Sequence, residues 1–169
     1  MRFILTMLVS MFSFSVWATE ISVDVGSRRD SVSNQFTRIS EVRIQDDVLG
    51  VQLTTGNVSR AEIDYTWNFP SITFLTVKTG VGAVTSGIGH YTYSISPKLS
   101  YMVSDKVGVY TSFKYRDSIK TNTLSDKTQT FDVGLTYAAN KNLGLFVKAE
   151  HSIGDQRYNA GFIGATYSF

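Results

Sequence analysis

The chain has no cysteine, two prolines and two histidines among its 169 residues. Without cysteine there is no disulfide framework to staple an exported domain. Two histidines and no cysteine also make a metal site improbable on ligand chemistry alone, and no cofactor is expected. Charge of one sign is missing too: the net charge of +2 gives no basic stripe of the kind that nucleic-acid binders carry. After residue 18 there is no long apolar run, so any passage through a membrane has to be made by a closed barrel, the one strand-built form that pairs every backbone group in lipid. Good helix formers are sparse. Thr, Ser and Val are common, with 9 Tyr and 11 Phe, a composition that favours strands.

The first stretch is set apart from the rest. Arg2 supplies a positive charge, Phe3 to Phe14 is mostly apolar, and Val16-Trp17-Ala18 ends in a small residue. This is the layout of a secretory signal peptide cut after Ala18, and the apolar run is shorter than the ~20 residues of a spanning helix. The expected organisation is a signal peptide over 1-18 and a single domain over 19-169.

In the remainder, apolar and polar residues alternate. From Arg60 to Phe69, one set is Ala61, Ile63, Tyr65, Trp67 and Phe69; the other is Arg60, Glu62, Asp64, Thr66 and Asn68. In a strand these sets point to opposite faces. The same alternation recurs around Val23, Val42, Val51, Val77, Ile95, Val109, Val133, Val147 and Ile163, which makes ten candidate strands. Eight remains the alternative, if the Ile44 to Thr55 region is one bent strand and the stretch around Val77 is irregular. Short turns are read at Asp46-Asp47, Pro70-Ser71, Ser104 to Lys106 and Asn140 to Asn142. Longer polar loops are read at Ser27 to Asn34, Gly56 to Ser59, Gly80 to Gly89, Asp117 to Lys127 and Gly154 to Gln156. Short turns at one end and longer loops at the other, with an even strand number, predict an all-β antiparallel up-and-down transmembrane barrel of about ten strands. Tyr65, Trp67, Phe69, Tyr101, Tyr137, Tyr167 and Phe169 lie beside the short turns, where an aromatic girdle meets the lipid–water boundary.

The closing segment Gly161-Phe162-Ile163-Gly164-Ala165-Thr166-Tyr167-Ser168-Phe169 resembles the C-terminal strand of Gram-negative outer-membrane barrels, which end in an aromatic preceded by apolar residues at every second position. The resemblance implies Tyr167 and Phe169 as the signal read by the barrel-insertion machinery. It also implies Sec-dependent export, periplasmic chaperones on the way, outer-membrane lipid and lipopolysaccharide as surroundings, and a monomer. A weaker resemblance runs over roughly Phe74 to Phe169. There Leu99-Ser100-Tyr101, Lys114-Tyr115-Arg116 and the last strand are similar to hairpins of the monomeric porins for acidic oligosaccharides (oligogalacturonate-specific type). Those porins have twelve strands, and this chain is too short for twelve.

The face opposite the apolar one carries Asp24, Arg28, Glu41, Arg43, Arg60, Glu62, Asp64, Lys78, Lys98, Lys114, Arg116, Asp132, Lys148 and Glu150. As candidate lumen charges they predict a small porin-like channel for small polar or anionic solutes. The alternative is a closed structural or surface-interaction barrel whose charges satisfy one another. Enzymatic readings find little support. The pair His151-Ser152 resembles part of the site of outer-membrane lipid A deacylases, but there the two residues share a face, whereas adjacent residues point oppositely. His90 is read as a loop residue. Gly80-Val81-Gly82 follows a strand without a helix after it, so it reads as a loop hinge rather than a phosphate cradle.

Overall fold

The computed structural model describes residues 20–56, 58–85, 89–119 and 127–169. The expected signal peptide lies outside them. Ten strands follow one another: β1 (Glu20–Asp30), β2 (Phe36–Gln45), β3 (Leu49–Thr55), β4 (Arg60–Asn68), β5 (Leu75–Val84), β6 (His90–Met102), β7 (Val107–Ser118), β8 (Thr128–Ala138), β9 (Leu143–Gly154) and β10 (Tyr158–Ser168). Each pairs antiparallel with its neighbours in sequence, and β1 closes onto β10, so no strand edge is left open. The count is ten, and Ile44 and Val51 stand opposite each other on separate strands.

Period-two alternation puts the apolar set outside and the polar set inside. Ile63, Val81, Val133 and Ile163 are 57–63% exposed, while Thr92, Thr128 and Ser152 are each 1% exposed. Buried apolar residues are few; Ile39, Tyr158, Ala160 and Phe162 make the one buried apolar cluster among the described residues. The hydrophobic effect therefore cannot hold the protein together by filling its middle. A barrel with a polar interior and an apolar wall is stable where lipid covers the wall.

The turns are made by local chemistry. The Asp30 carboxylate accepts the backbone N–H groups of Val32 and Ser33 at 2.9 and 2.7 Å, and Asn34 takes φ 57°, a left-handed conformation that asparagine tolerates. At the other end the Asn140 side chain accepts the N–H groups of Asn142 and Leu143, both at 2.9 Å.

Several sequence-based boundaries are corrected. β1 runs through Asp30, so Ser27 to Asp30 is strand rather than loop. β7 continues to Ser118 and β9 to Gly154. Gly80, Val81 and Gly82 lie within β5, not in a hinge, and His90 opens β6 rather than sitting in a loop. The polar alternation continues through both regions, and glycine there answers crowding inside the barrel. The longest connection, 119–127, lies at the end remote from the termini, as expected of the Asp117 to Lys127 loop, most of which falls outside the described residues; the connections 31–35, 56–59, 85–89 and 155–157 at that end are no longer than 69–74 at the opposite end. Aromatics stand near both ends of the wall, because Phe36, Tyr91 and Tyr93 are exposed away from the termini.

Three inward aromatic rings lie over glycines directly across the sheet. Tyr110 faces Gly134, Phe162 faces Gly26 and Phe146 faces Gly164. In each case a Cβ on the glycine would run into the ring. Large and small side chains thus alternate across neighbouring strands, which narrows the lumen without bowing the wall.

Candidate functional site

The interior holds a cavity of about 320 Å3 lined from all ten strands. Every charged residue proposed from the alternation lines it: Asp24, Arg28, Glu41, Arg43, Arg60, Glu62, Asp64, Lys78, Lys98, Lys114, Arg116, Asp132, Lys148 and Glu150. Glu20 also lines it, together with Tyr110, Phe146, Tyr158 and Phe162. Glu20 could have been found by carrying the even-numbered face of β1 back two residues from Ser22. The inward aromatics could not, because an aromatic among polar neighbours reads equally well as a girdle residue.

These side chains do not line the wall independently. Lys114 of β7 donates to both carboxylate oxygens of Glu62 on β4, at 2.7 and 2.9 Å, reaching past β5 and β6. Ser94 of β6 donates to the same carboxylate at 2.8 Å. Gly80 on β5 leaves the space: a Cβ there would come 2.9 Å from Glu62 Oε1. Arg43 of β2 pairs with Asp64 of β4 over β3, where Gly50 is the residue beneath. Lys148 of β9 is a hub, 3.0 Å from Asp24, 2.8 Å from Glu41 and 3.1 Å from Glu150, with its ammonium 4.2 Å from the centre of the Phe162 ring. Ser112 donates to Asp132 at 2.5 Å. This is what a polar interior requires: a carboxylate taken from bulk water needs a cation and hydrogen-bond donors around it.

Other basic residues are held differently. Lys78 donates to Gln45 at 3.2 Å, and the Lys98 ammonium lies 4.2 Å from the centre of the Tyr110 ring. Arg28 rests on Tyr158 at 3.9 Å and reaches Gln156 at 3.5 Å. Arg28, Arg60 and Arg116 all occupy the strand ends remote from the termini: Arg60 begins β4, and the other two stand near the ends of β1 and β7. The lumen is thus graded. Arginine dominates one mouth, carboxylates bound by lysine and arginine fill the middle, and Lys78 and Lys98 lie toward the other mouth.

The comparisons with known proteins agree with this architecture at the level of fold. No protein-family model matches the chain, and no curated protein matches it in sequence. Among solved structures, the translocator domain of the autotransporter NalP from Neisseria meningitidis superposes with a TM-score of 0.54 at 11% identity, over 90% of this chain and 88% of that one. The KdgM porin gives 0.48 at 14% identity over 88% and 99% of the two chains. The NanC porin gives 0.48 at 13% over 88% and 100%. The likeness to the translocator domain is one of fold, a closed β-barrel.

The other sequence-flagged residues are placed plainly. His151 and Ser152 point to opposite faces: His151 is exposed and 2.8 Å from Asn159 Oδ1, while Ser152 is buried and donates to the Gln156 carbonyl at 2.9 Å. A base that faces out cannot reach a hydroxyl that faces in. Tyr167 and Phe169 lie outside the barrel, edge to face with ring centres 5.1 Å apart. Among the described residues, no three His, Cys, Asp or Glu side chains are grouped to hold a metal ion.

Proposed function

We propose that this chain spans the outer membrane of a Gram-negative cell as a monomer and conducts water, small ions and small polar solutes, with a preference for anions. The observation that carries the reading is the inverted wall: an exposed apolar outside around a charged cavity lined from every strand. The lining has eight basic and seven acidic side chains, and the arginines lead at one mouth. A cavity of about 320 Å3, drawn out over an apolar band ~25 Å tall, is a thin thread of water rather than a chamber. Such a lumen suits small solutes rather than oligosaccharides. Residues 1–18 are proposed to direct Sec-dependent export. Tyr167 and Phe169 are proposed to present the chain to periplasmic chaperones and the insertion machinery.

A second reading has its own support. The Lys114–Glu62 pair lies across part of the lumen, and the Lys148 hub ties three carboxylates together. These could close the thread and leave a structural barrel without transport. Planar-bilayer recording on folded protein separates the two. The channel reading expects small discrete steps and anion preference in a salt gradient, and it expects larger steps from Lys114→Ala. A folded protein that stays silent, and becomes conducting only as Lys114→Ala, is the closed barrel.

A further inference from the structure

The outer wall is uneven near the strand ends remote from the termini. On β2, β1, β10, β9 and β8, which are consecutive in the sheet, the outward positions near that end include Arg38, Arg29 and His151, with Arg157 just before β10 and Lys127 just before β8. All five are exposed. Register binds them into one patch. Arg29 stands opposite both Phe36 and Asn159, Arg38 opposite Ser27, and His151 opposite Asn159. Five adjacent strands span roughly 20 Å at ~4.8 Å per strand.

Among the described residues, none of the arginines of this patch nor Lys127 forms an ion pair with a carboxylate. Arg29 donates to the neutral Asn34 side chain at 3.2 Å and lies over Phe36 at 5.7 Å, and Arg157 donates to the Gly154 carbonyl at 3.3 Å. Of the described carboxylates nearby, Asp30 accepts the backbone N–H groups of Val32 and Ser33, and Asp155 accepts the Lys127 backbone N–H at 2.8 Å. The opposite side of the wall differs. There, the same end carries Tyr91, Tyr93 and Tyr115, and among the described residues its outward charge is Asp117, which accepts the Tyr115 hydroxyl at 3.0 Å.

We propose that this one-sided cluster is a docking site for the phosphate of a lipid headgroup, lying against the outside of the barrel and not in its lumen. The inference rests on the membrane reading above, which puts this end of the wall at the headgroup level of the external leaflet. Charge complementarity selects the occupant. Guanidinium groups match phosphate oxygens in pairs, and the apolar wall below Arg29 and Arg38 accepts acyl chains. The tyrosine side offers hydrogen bonds without positive charge and takes ordinary interfacial lipid.

The test uses the full chain folded in zwitterionic micelles, its folding checked by heat-modifiable migration on a gel. Phosphatidic acid and diacylglycerol, which differ by the headgroup phosphate, are titrated in and bound lipid is counted by native mass spectrometry. Phosphatidic acid should bind at least about tenfold more tightly. The R29S/R38S/R157S variant should lose that preference, whereas K106Q/K141Q, altered at the other rim, should keep it. Equal binding of the two lipids to the unaltered protein overturns the inference, and so does a triple variant that still discriminates. Full displacement of the lipid by millimolar inorganic phosphate overturns it as well, because the site would then be one for a free anion. A chain that enters no micelle overturns the membrane reading and this inference with it; a folded barrel indifferent to the phosphate overturns this inference alone.

Discussion

Lys148 carries more of the interior than any other side chain described. Its ammonium serves Asp24, Glu41 and Glu150 at once, and all three carboxylates line the lumen. Removing one partner of a buried ion cluster leaves the others uncompensated, which costs about 3–5 kcal/mol. Lys148→Met keeps most of the apolar stem but removes the ammonium, and with it the charge and its place over the Phe162 ring. It should lower the temperature at which the compact folded band gives way on a gel, and lower it well beyond the change in Lys98→Met. Lys98 gives up a contact with Tyr110 worth about 0.5–2 kcal/mol. That Lys148, Glu41 and Glu150 face inward was legible, because a period of two needs only the sequence. That they meet was not. Lys148 and Glu41 are 107 residues apart, and only the register carried around β9, β10, β1 and β2 brings them together.

β5 shows why glycine misleads a reader of barrels. Gly80 and Gly82 look like a hinge, yet each faces the lumen in mid-strand. A Cβ on Gly80 would crowd the Glu62 carboxylate, and one on Gly82 would come 2.8 Å from the Ala61 carbonyl. The signal that could have corrected the reading is alternation itself: Val77, Thr79, Val81 and Ala83 continue the outward row past both glycines. β6 carries the converse case. Pro97 has no N–H to give, and the pairing of β6 with β7 lapses between Ile95–Tyr115 and Lys98–Ser112, yet the register is the same on both sides and the strand continues. On β8, Gly134 lies under the Tyr110 ring. Gly134→Val should force that ring out of place at a cost of about 1–3 kcal/mol. The expected result is a lower urea midpoint for unfolding in micelles with strand content unchanged by circular dichroism.

The molecule as a whole has its polarity reversed relative to a water-soluble sandwich. That reversal was readable, because ten alternating segments and a shortage of long apolar runs leave a closed barrel as the membrane solution. The width of the lumen was not, since it depends on which rings and ion pairs cross it. Phe169 follows β10, whose Ser168 is tied to the 139–142 turn: Asn142 donates its side-chain amide to the Ser168 carbonyl at 2.7 Å, and Ser168 N–H returns a bond to the Asn142 carbonyl at 2.8 Å. The exposed ring of Phe169 is therefore held at a fixed place on the rim. Deleting Phe169 removes little of the fold, since no strand pairing involves it. Deletion should leave export intact and reduce the amount recovered in the outer membrane, measured by fractionation. Unchanged outer-membrane levels would count against Phe169 as an assembly signal.

The seam between β1 and β10 is the longest-range pairing in the wall. Glu20 stands opposite Ser168 and Asp30 opposite Tyr158, so partners across this one seam lie 128 to 148 residues apart in the chain. Without β10, β1 would present a free edge eleven residues long, next to a ribbon of apolar side chains. One missing seam would leave two rows of unpaired backbone groups facing lipid, so the wall is complete only where these two strands meet.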